Sequence, residues 1–542
     1  MKVRFYIIFS VWYLLFANTT FAYTHADTLR GSNGTGRYWW DVQHYDLNIQ
    51  FDTAGKAIEG ENKITFTVTD EPQDSMQIDL QYPMLMDFVK WGNEKLPFKR
   101  DGNVYWIKYP FSHWKKGAVE TINIGYHGAP RLAVNPPWDG GFIWTKDSTG
   151  KPWIAVACQG LGASCWWPCK DIQSDEPDSG MDMTYRVPHG LTCIANGKLV
   201  QQRGLTGDYT QWHWQVKNPI NTYDATFYIG DYIRWHDTLM GEKGKLDLDF
   251  CALRYNEAKA RKQFEVVKPM LHCFESKMGP YPFYEDGYKL VEAPYLVMEH
   301  QSAVAYGNKY LMGYLGMDRS GTGQGLNFDF IIVHESGHEW FGNNITAKDI
   351  ADNWIHEGIT TYSETLFAEC LLGKDAAFQY CRGEWRNIRN DRPVIGDYGV
   401  QNEGSNDMYD KGAAVIHMIR MMINDDDEFF KILRGLNETF YHSTVTSADV
   451  EKYISRQSGL KLRAFFDQYL RTTDIPKLEY YIKNKKLYYH FNNVVPGFTL
   501  PINVTDGNKS DKIDPSSKWK HIRWDGGYNV SFSKDFLIGV KG

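Results

Sequence analysis

Residues 45–52 alternate strictly: Tyr45, Leu47, Ile49 and Phe51 are apolar, with Asp46, Asn48, Gln50 and Asp52 between them. Ile64, Phe66 and Val68, then Met76, Ile78 and Leu80, then Ile122, Ile124 and Tyr126 repeat the period of two. Turn-rich segments such as Pro136-Pro137-Trp138-Asp139-Gly140-Gly141 separate these runs. Successive strand residues face opposite sides of a sheet, so the pattern predicts an antiparallel β domain over residues 23–250. From about Tyr255 the apolar spacing becomes helical, first over Ala258 to Met278, later from Tyr409 through Met422 with Asp410 as cap, then over 427–440 and 447–471. This helical part, 251–474, gives way after Pro476 to a third part, 475–542. Its first hairpin pairs Leu478–Ile482 with Leu487–Phe491 around Asn484-Lys485. The reading is a multidomain α+β chain without repeats or a long low-complexity linker.

One helical stretch carries chemistry. His334-Glu335-Ser336-Gly337-His338 places two imidazoles four residues apart, and Glu357 follows 19 residues after His338. Residues i and i+4 share a helix face, so His334 and His338 can close on one cation. Two imidazoles and a carboxylate suit a catalytic zinc with a fourth position open for water. Asn327 is the expected N-cap, and Phe328, Ile331, Ile332, Trp340 and Phe341 make the helix mostly buried. Unpaired ionisable groups are costly to bury, which argues against a casual surface pairing. A second helix is expected from Asn353 to about Leu372 with Gly373 as C-cap, placing Glu357 in its first turn.

Composition changes the picture little. Of 542 residues, 43% are hydrophobic and 23% charged, as in ordinary globular chains; aromatic content is high at 15%, which β-rich cores use as readily as binding grooves do. Lys2 and Arg4 precede an apolar run from Phe5 to Phe16, and Thr20-Phe21-Ala22 or Thr24-His25-Ala26 offers a cleavage site. This reads as a signal peptide over 1–22, too short to span a membrane, of an exported protein, periplasmic or extracellular. Its removal takes two positive charges, moving the net charge from −7 to −9. A mildly acidic chain without basic runs argues against nucleic acid. The run Asp425-Asp426-Asp427-Glu428 is expected to be a solvated loop between two helices. Eight cysteines in an exported chain permit disulfides, and their pairing stays open.

Several motifs together resemble the gluzincin aminopeptidases, the group that contains aminopeptidase N and leukotriene hydrolase. The histidine motif continues as Glu339-Trp340-Phe341-Gly342-Asn343, and Glu357 lies in Trp354-Ile355-His356-Glu357-Gly358. Val297-Met298-Glu299-His300-Gln301 is similar to the group's Gly-x-Met-Glu-Asn, with Val297 near the glycine position and His300 for Asn. Tyr409-Asp410-Lys411-Gly412 resembles Tyr-Glu-Lys-Gly. Cys158-Gln159-Gly160, followed by Trp167-Pro168-Cys169, resembles the end of the group's N-terminal saddle domain. The resemblance covers most of 35–475. It implies a β saddle domain, a thermolysin-like zinc domain and, in place of the usual helical C-terminal domain, a small β-sandwich that leaves a more open site.

By that resemblance His334, His338 and Glu357 hold one Zn²⁺, Glu335 is the general base, and Tyr409 stabilises the oxyanion. Glu299, with Gln159 and Met298, meets the free N-terminus of a peptide substrate. Bulk at Val297 and His300 is expected to narrow or reshape the groove where the substrate backbone lies. Competing readings are a zinc endopeptidase, an epoxide-hydrolase relative, or a peptide-binding protein without turnover. Arylamide hydrolysis that is lost on acetylating the amine separates the enzymes.

Overall fold

The computed structural model describes residues 23–542 except Tyr109; the expected signal peptide lies outside the described residues. Among the described residues, no helix is long and apolar enough to cross a membrane. The N-terminal part is built on an eight-stranded sheet. Trp40–Asp52 and Ala57–Val68 form its central antiparallel pair. Tyr45, Leu47, Ile49 and Phe51 are buried, as the period of two requires. One pairing departs from the antiparallel expectation. Trp40–Asp52 runs parallel to Met181–Pro188, with Tyr45 opposite Met181, because the chain returns to this edge only after more than a hundred residues of other strands.

The expected boundary at residue 250 falls inside a strand. Tyr232–Gly241 and Gly244–Leu253 form a hairpin, and the second strand pairs parallel with Tyr288–Glu292. The resulting five-stranded sheet continues through Val304–Tyr306 to the edge strand Val297–Met298. That edge strand delivers Glu299. The helical stretch 258–278 is observed as Glu257–Gln263 and Val267–Met278, separated by a 3-10 turn. Helix Val267–Met278 is stapled to Trp354–Leu372 by a Cys273–Cys370 disulfide, and the other six cysteines are buried and free.

The acidic run is not a loop. Asp425 caps helix Asp426–Thr439 by accepting from the Glu428 amide, and Asp426 bonds Arg420 and Lys374. Negative charge in a first helical turn is favourable, so the run starts the helix. Stretch 447–471 splits into Ser447–Ser458 and Arg463–Arg471 at Gly459, which adopts φ +68°. In the last part, Lys477–Lys483 and Lys486–Asn492 pair across Asn484 and Lys485, both at positive φ. Two small sheets make up this part. Leu478, Leu487, Phe491 and Trp524 belong to the same apolar core as the metal-site helices. Asp535 further ties it down, ion-pairing Arg382 and lying 3.3 Å from His417 Nε2.

Candidate active site

Helix Phe330–Gly337 begins two residues later than expected. Asp329, not Asn327, is its N-cap, its Oδ1 accepting the amides of Ile331 at 3.1 Å and Ile332 at 3.4 Å. Tyr306 and Asn308 also donate to this carboxylate, so the cap fixes the helix against the five-stranded sheet. His334 sits in the last turn and His338 is the C-cap residue, still one turn on. Helix Trp354–Leu372 has its expected ends, with Glu357 in the first turn and Gly373 at φ +88° as C-cap.

Hydrogen bonds at the far side of each imidazole decide what faces inward. His334 Nδ1 lies 2.7 Å from Glu364 Oε1, and His338 Nδ1 lies 3.0 Å from the Phe341 carbonyl. Both acceptors require N–H at Nδ1, which leaves each Nε2 as a lone pair. The two Nε2 atoms stand 3.2 Å apart, and Glu357 Oε2 lies 3.6 Å from the first and 3.3 Å from the second. Glu357 Oε2 is buried and has no hydrogen-bond partner. Burial alone would raise the Glu357 carboxyl, but the two imidazoles hold it well below the usual carboxylate range. Two imidazole nitrogens and a carboxylate oxygen thus converge in a buried site, a donor set suited to a divalent cation. A tetrahedral zinc with bonds of ~2.0–2.1 Å has ligand–ligand edges of about 3.3–3.4 Å, so spacing and donor types both fit zinc.

Glu335, next on the helix, is almost fully buried. Burial pushes its carboxyl up to about 8, against the pull of His334 and His338. The Tyr409 ring stacks 6.0 Å from that of His334 at the start of helix Asp410–Ile423, and burial raises its phenol well above the ordinary value. That phenol stays protonated and can donate.

Glu299 is brought to the same place from the sheet edge. Its Oε1 accepts from the Gln159 side chain and from Tyr223 Oη at 3.0 Å. Its backbone is fixed by the tail of the histidine motif: Asn343 Nδ2 donates to the Glu299 carbonyl at 2.8 Å, and Glu339 Oε1 accepts the Ser302 amide at 2.8 Å. Met298 is buried just before it. His300 does not narrow a groove. It is fully buried, its Nδ1 donating at 2.8 Å to Tyr228 Oη, which itself donates to the Ala303 carbonyl. The extra bulk therefore goes between the sheets, against strand Phe227–Gly230.

Sequence reasoning missed two residues here. Glu364 lies two turns after Glu357 on the same helix face, a spacing that could have pointed to it. Tyr223 lies in a 3-10 turn, Thr222–Asp224, with no local signal.

Residues 262–469 match the peptidase family M1 domain. Aminopeptidase B from Mus musculus is 23% identical over 403 residues, covering 68% of this chain and 58% of the relative. Leukotriene A-4 hydrolase from Xenopus laevis is 21% identical over 453 residues, covering 77% of this chain and 68% of the relative. The chain spans about half to two thirds of the length of such curated relatives. An M1 zinc metallopeptidase from Deinococcus radiodurans, solved bound to a Tyr-Ser-Ala substrate, superposes with a TM-score of 0.64 at 20% identity, covering 80% of this chain and 95% of that one. The chain shares the multidomain, mixed α and β fold of that metallopeptidase.

Proposed function

We propose, from the match of residues 262–469 to the peptidase family M1 domain, that the chain is a zinc-dependent aminopeptidase that removes residues from the N-termini of peptides. The observation that carries this reading is Glu299. Two neutral donors, Gln159 and Tyr223, occupy one of its oxygens, and the carboxylate lies within electrostatic reach of His338 and Glu357. A carboxylate so placed accepts a substrate α-ammonium through a charge-assisted bond, and an enzyme that needs that ammonium counts from the chain end. The relatives named above support the reading, as does the neighbour solved with a tripeptide substrate.

His334, His338 and Glu357 would hold the zinc ion, which supplies Lewis acidity and lowers the pKa of water. Glu335 takes the proton of the attacking water and passes it to the leaving amine. Tyr409 donates its phenol proton as a hydrogen bond to the oxyanion that develops on the peptide carbonyl. Glu299 and Gln159 hold the N-terminus, with Met298 beside them.

The same reading divides the chain into a saddle-like β part, a thermolysin-like catalytic part and a β-sandwich-like end, near residues 230 and 475. The hairpin Tyr232–Leu253 is counted with the catalytic part because it belongs to that sheet. Export is supported by the basic-then-apolar start of the chain and by the Cys273–Cys370 bond, which persists in oxidising compartments. The deciding experiment is a panel of aminoacyl arylamides with the purified protein. Hydrolysis that disappears on N-acetylation and on chelation, and returns with Zn²⁺, supports the proposal; equal hydrolysis of acetylated substrates overturns it.

A further inference from the structure

A cavity of about 300 Å³ adjoins Glu299, and its wall includes Gln159 and Tyr223, the two side chains that bond that carboxylate. Ile350 and Gln401, from the segments leading to Glu357 and Tyr409, form the opposite side. The N-terminal segment Arg30, Gly31, Ser32 and Asn33 also contributes to the wall. No residue of helix His25–Gly31 is buried, so core packing does not explain why it lies there.

Specific contacts do. Arg30 Nη1 bonds the Asp171 carbonyl and lies 3.3 Å from Asp171 Oδ1. Beneath it Gly162, at φ +93°, leaves the space: a Cβ there would stand 2.1 Å from Arg30 Nη2. A Cβ on Gly31 would stand 2.3 Å from the Gln401 amide nitrogen, so the segment meets the second wall backbone to backbone. Tyr23 Oη bonds Asp397 and Asn402 in the segment that carries Gln401, and Gln401 Nε2 reaches the Gly160 carbonyl at 2.9 Å. The segment therefore bridges the two walls of the cavity.

We propose that this cavity receives the side chain of the substrate's N-terminal residue, and that residues 30–33 set its depth and so the enzyme's preference. The inference rests on the aminopeptidase reading. When a substrate ammonium meets the carboxylate of Glu299, the side chain branches from the adjacent carbon and is delivered to the space that Gln159 and Tyr223 enclose. The cavity is at the small end of ligand pockets, enough for one side chain. Asp171, Gln173, Asn221, Lys348 and Asp349 among its lining suit a long side chain with a hydrogen-bonding end, such as Gln or Tyr, over a small apolar one.

Two variants of opposite sign test this. Ser32→Phe fills the cavity from the N-terminal wall, and Arg30→Ala unclasps that wall from Asp171. The quantity read is kcat/KM for Tyr-arylamide divided by that for Ala-arylamide. It should fall about tenfold or more in Ser32→Phe and rise in Arg30→Ala, within the range that pocket fit provides. Binding of free L-tyrosine relative to L-alanine, measured by calorimetry on the zinc-loaded protein, should shift the same way. Ratios within about twofold of the parent in folded Ser32→Phe overturn the inference. So does a change that follows the second residue of dipeptides instead of the first. Should the parent protein cleave no arylamide yet bind amino acids with this shift, the aminopeptidase reading fails and the pocket assignment stands.

Discussion

Gly358, directly after Glu357, and Gly412, in the Tyr409-Asp410-Lys411-Gly412 run, meet backbone to backbone. A Cβ on Gly358 would lie 2.8 Å from Gly412 Cα, and one on Gly412 would lie 2.7 Å from Gly358 Cα. Neither glycine has a positive φ, so what each provides is space. Their contact brings helix Asp410–Ile423 against Trp354–Leu372 and sets Tyr409 over the imidazole of His334.

Gly412→Ala should therefore force these helices apart. Overpacking of this kind costs about 1–3 kcal/mol, readable as a lowered denaturation midpoint. Because Tyr409 moves with its helix, kcat should fall more than KM rises. A variant with parental stability and kcat would show that the contact does not set the site.

Glu364 holds His334 in the tautomer that turns Nε2 inward. Glu364→Gln keeps the shape and loses the charge, and Glu364→Ala removes the acceptor. Zinc affinity should drop by about 10–100-fold, with Ala the more severe, when measured by competition with a chromogenic chelator. An unchanged dissociation constant in both variants would refute the tautomer argument.

Glu335→Gln should bind one zinc per chain and lose about 10²–10⁴-fold in kcat, because proton transfer is removed and the ligands are not. Tyr409→Phe should lose about 10²–10³-fold in kcat with KM little changed, as for a donor that acts mainly in the transition state. Metal analysis beside steady-state kinetics distinguishes these outcomes from loss of zinc. Turnover in Glu335→Gln equal to the parent would rule out this residue as the base.

Burial holds the His300 imidazole down to about 3, against an ordinary value of 6.5. The folded state keeps this ring neutral while the unfolded chain protonates it, so between pH 6.5 and about 3 the unfolded state binds the extra proton. The stability it contributes is present above pH 6.5 and is lost as pH falls through that window. The slope is ~1.4 kcal/mol per pH unit for one fully titrating group. His356, also held down to about 3, and His442, held to about 4, add in the same direction. In urea titrations across this range, His300→Asn should show a shallower fall of stability with acid than the parent. Superimposable slopes would contradict the account.

The metal site was legible because its parts obey local rules. Four-residue spacing puts His334 and His338 on one face, and an apolar run with a glycine stop marks the helix that carries Glu357. Alternation found the strands, and Asn484-Lys485 marked its turn. Local rules failed where a distant partner decided. Asp329 displaced Asn327 as cap because Gln263, Tyr306 and Asn308 converge on it. Asp425–Glu428 became a helix start for a local reason that the charge run concealed: Asp425 caps the Glu428 amide and the acidic first turn suits the helix dipole.

The order of motifs along the chain determined which residues could make the site, since ligand type and spacing are covalent facts. Only the tertiary structure decided that Tyr223 and Gln159 share one oxygen of Glu299, that His300 turns into the protein body, and that residues 30–33 wall a cavity beside Glu299. Those relationships join segments tens to hundreds of residues apart. They arise from burial and hydrogen-bond satisfaction in the assembled core, which no short window of sequence contains.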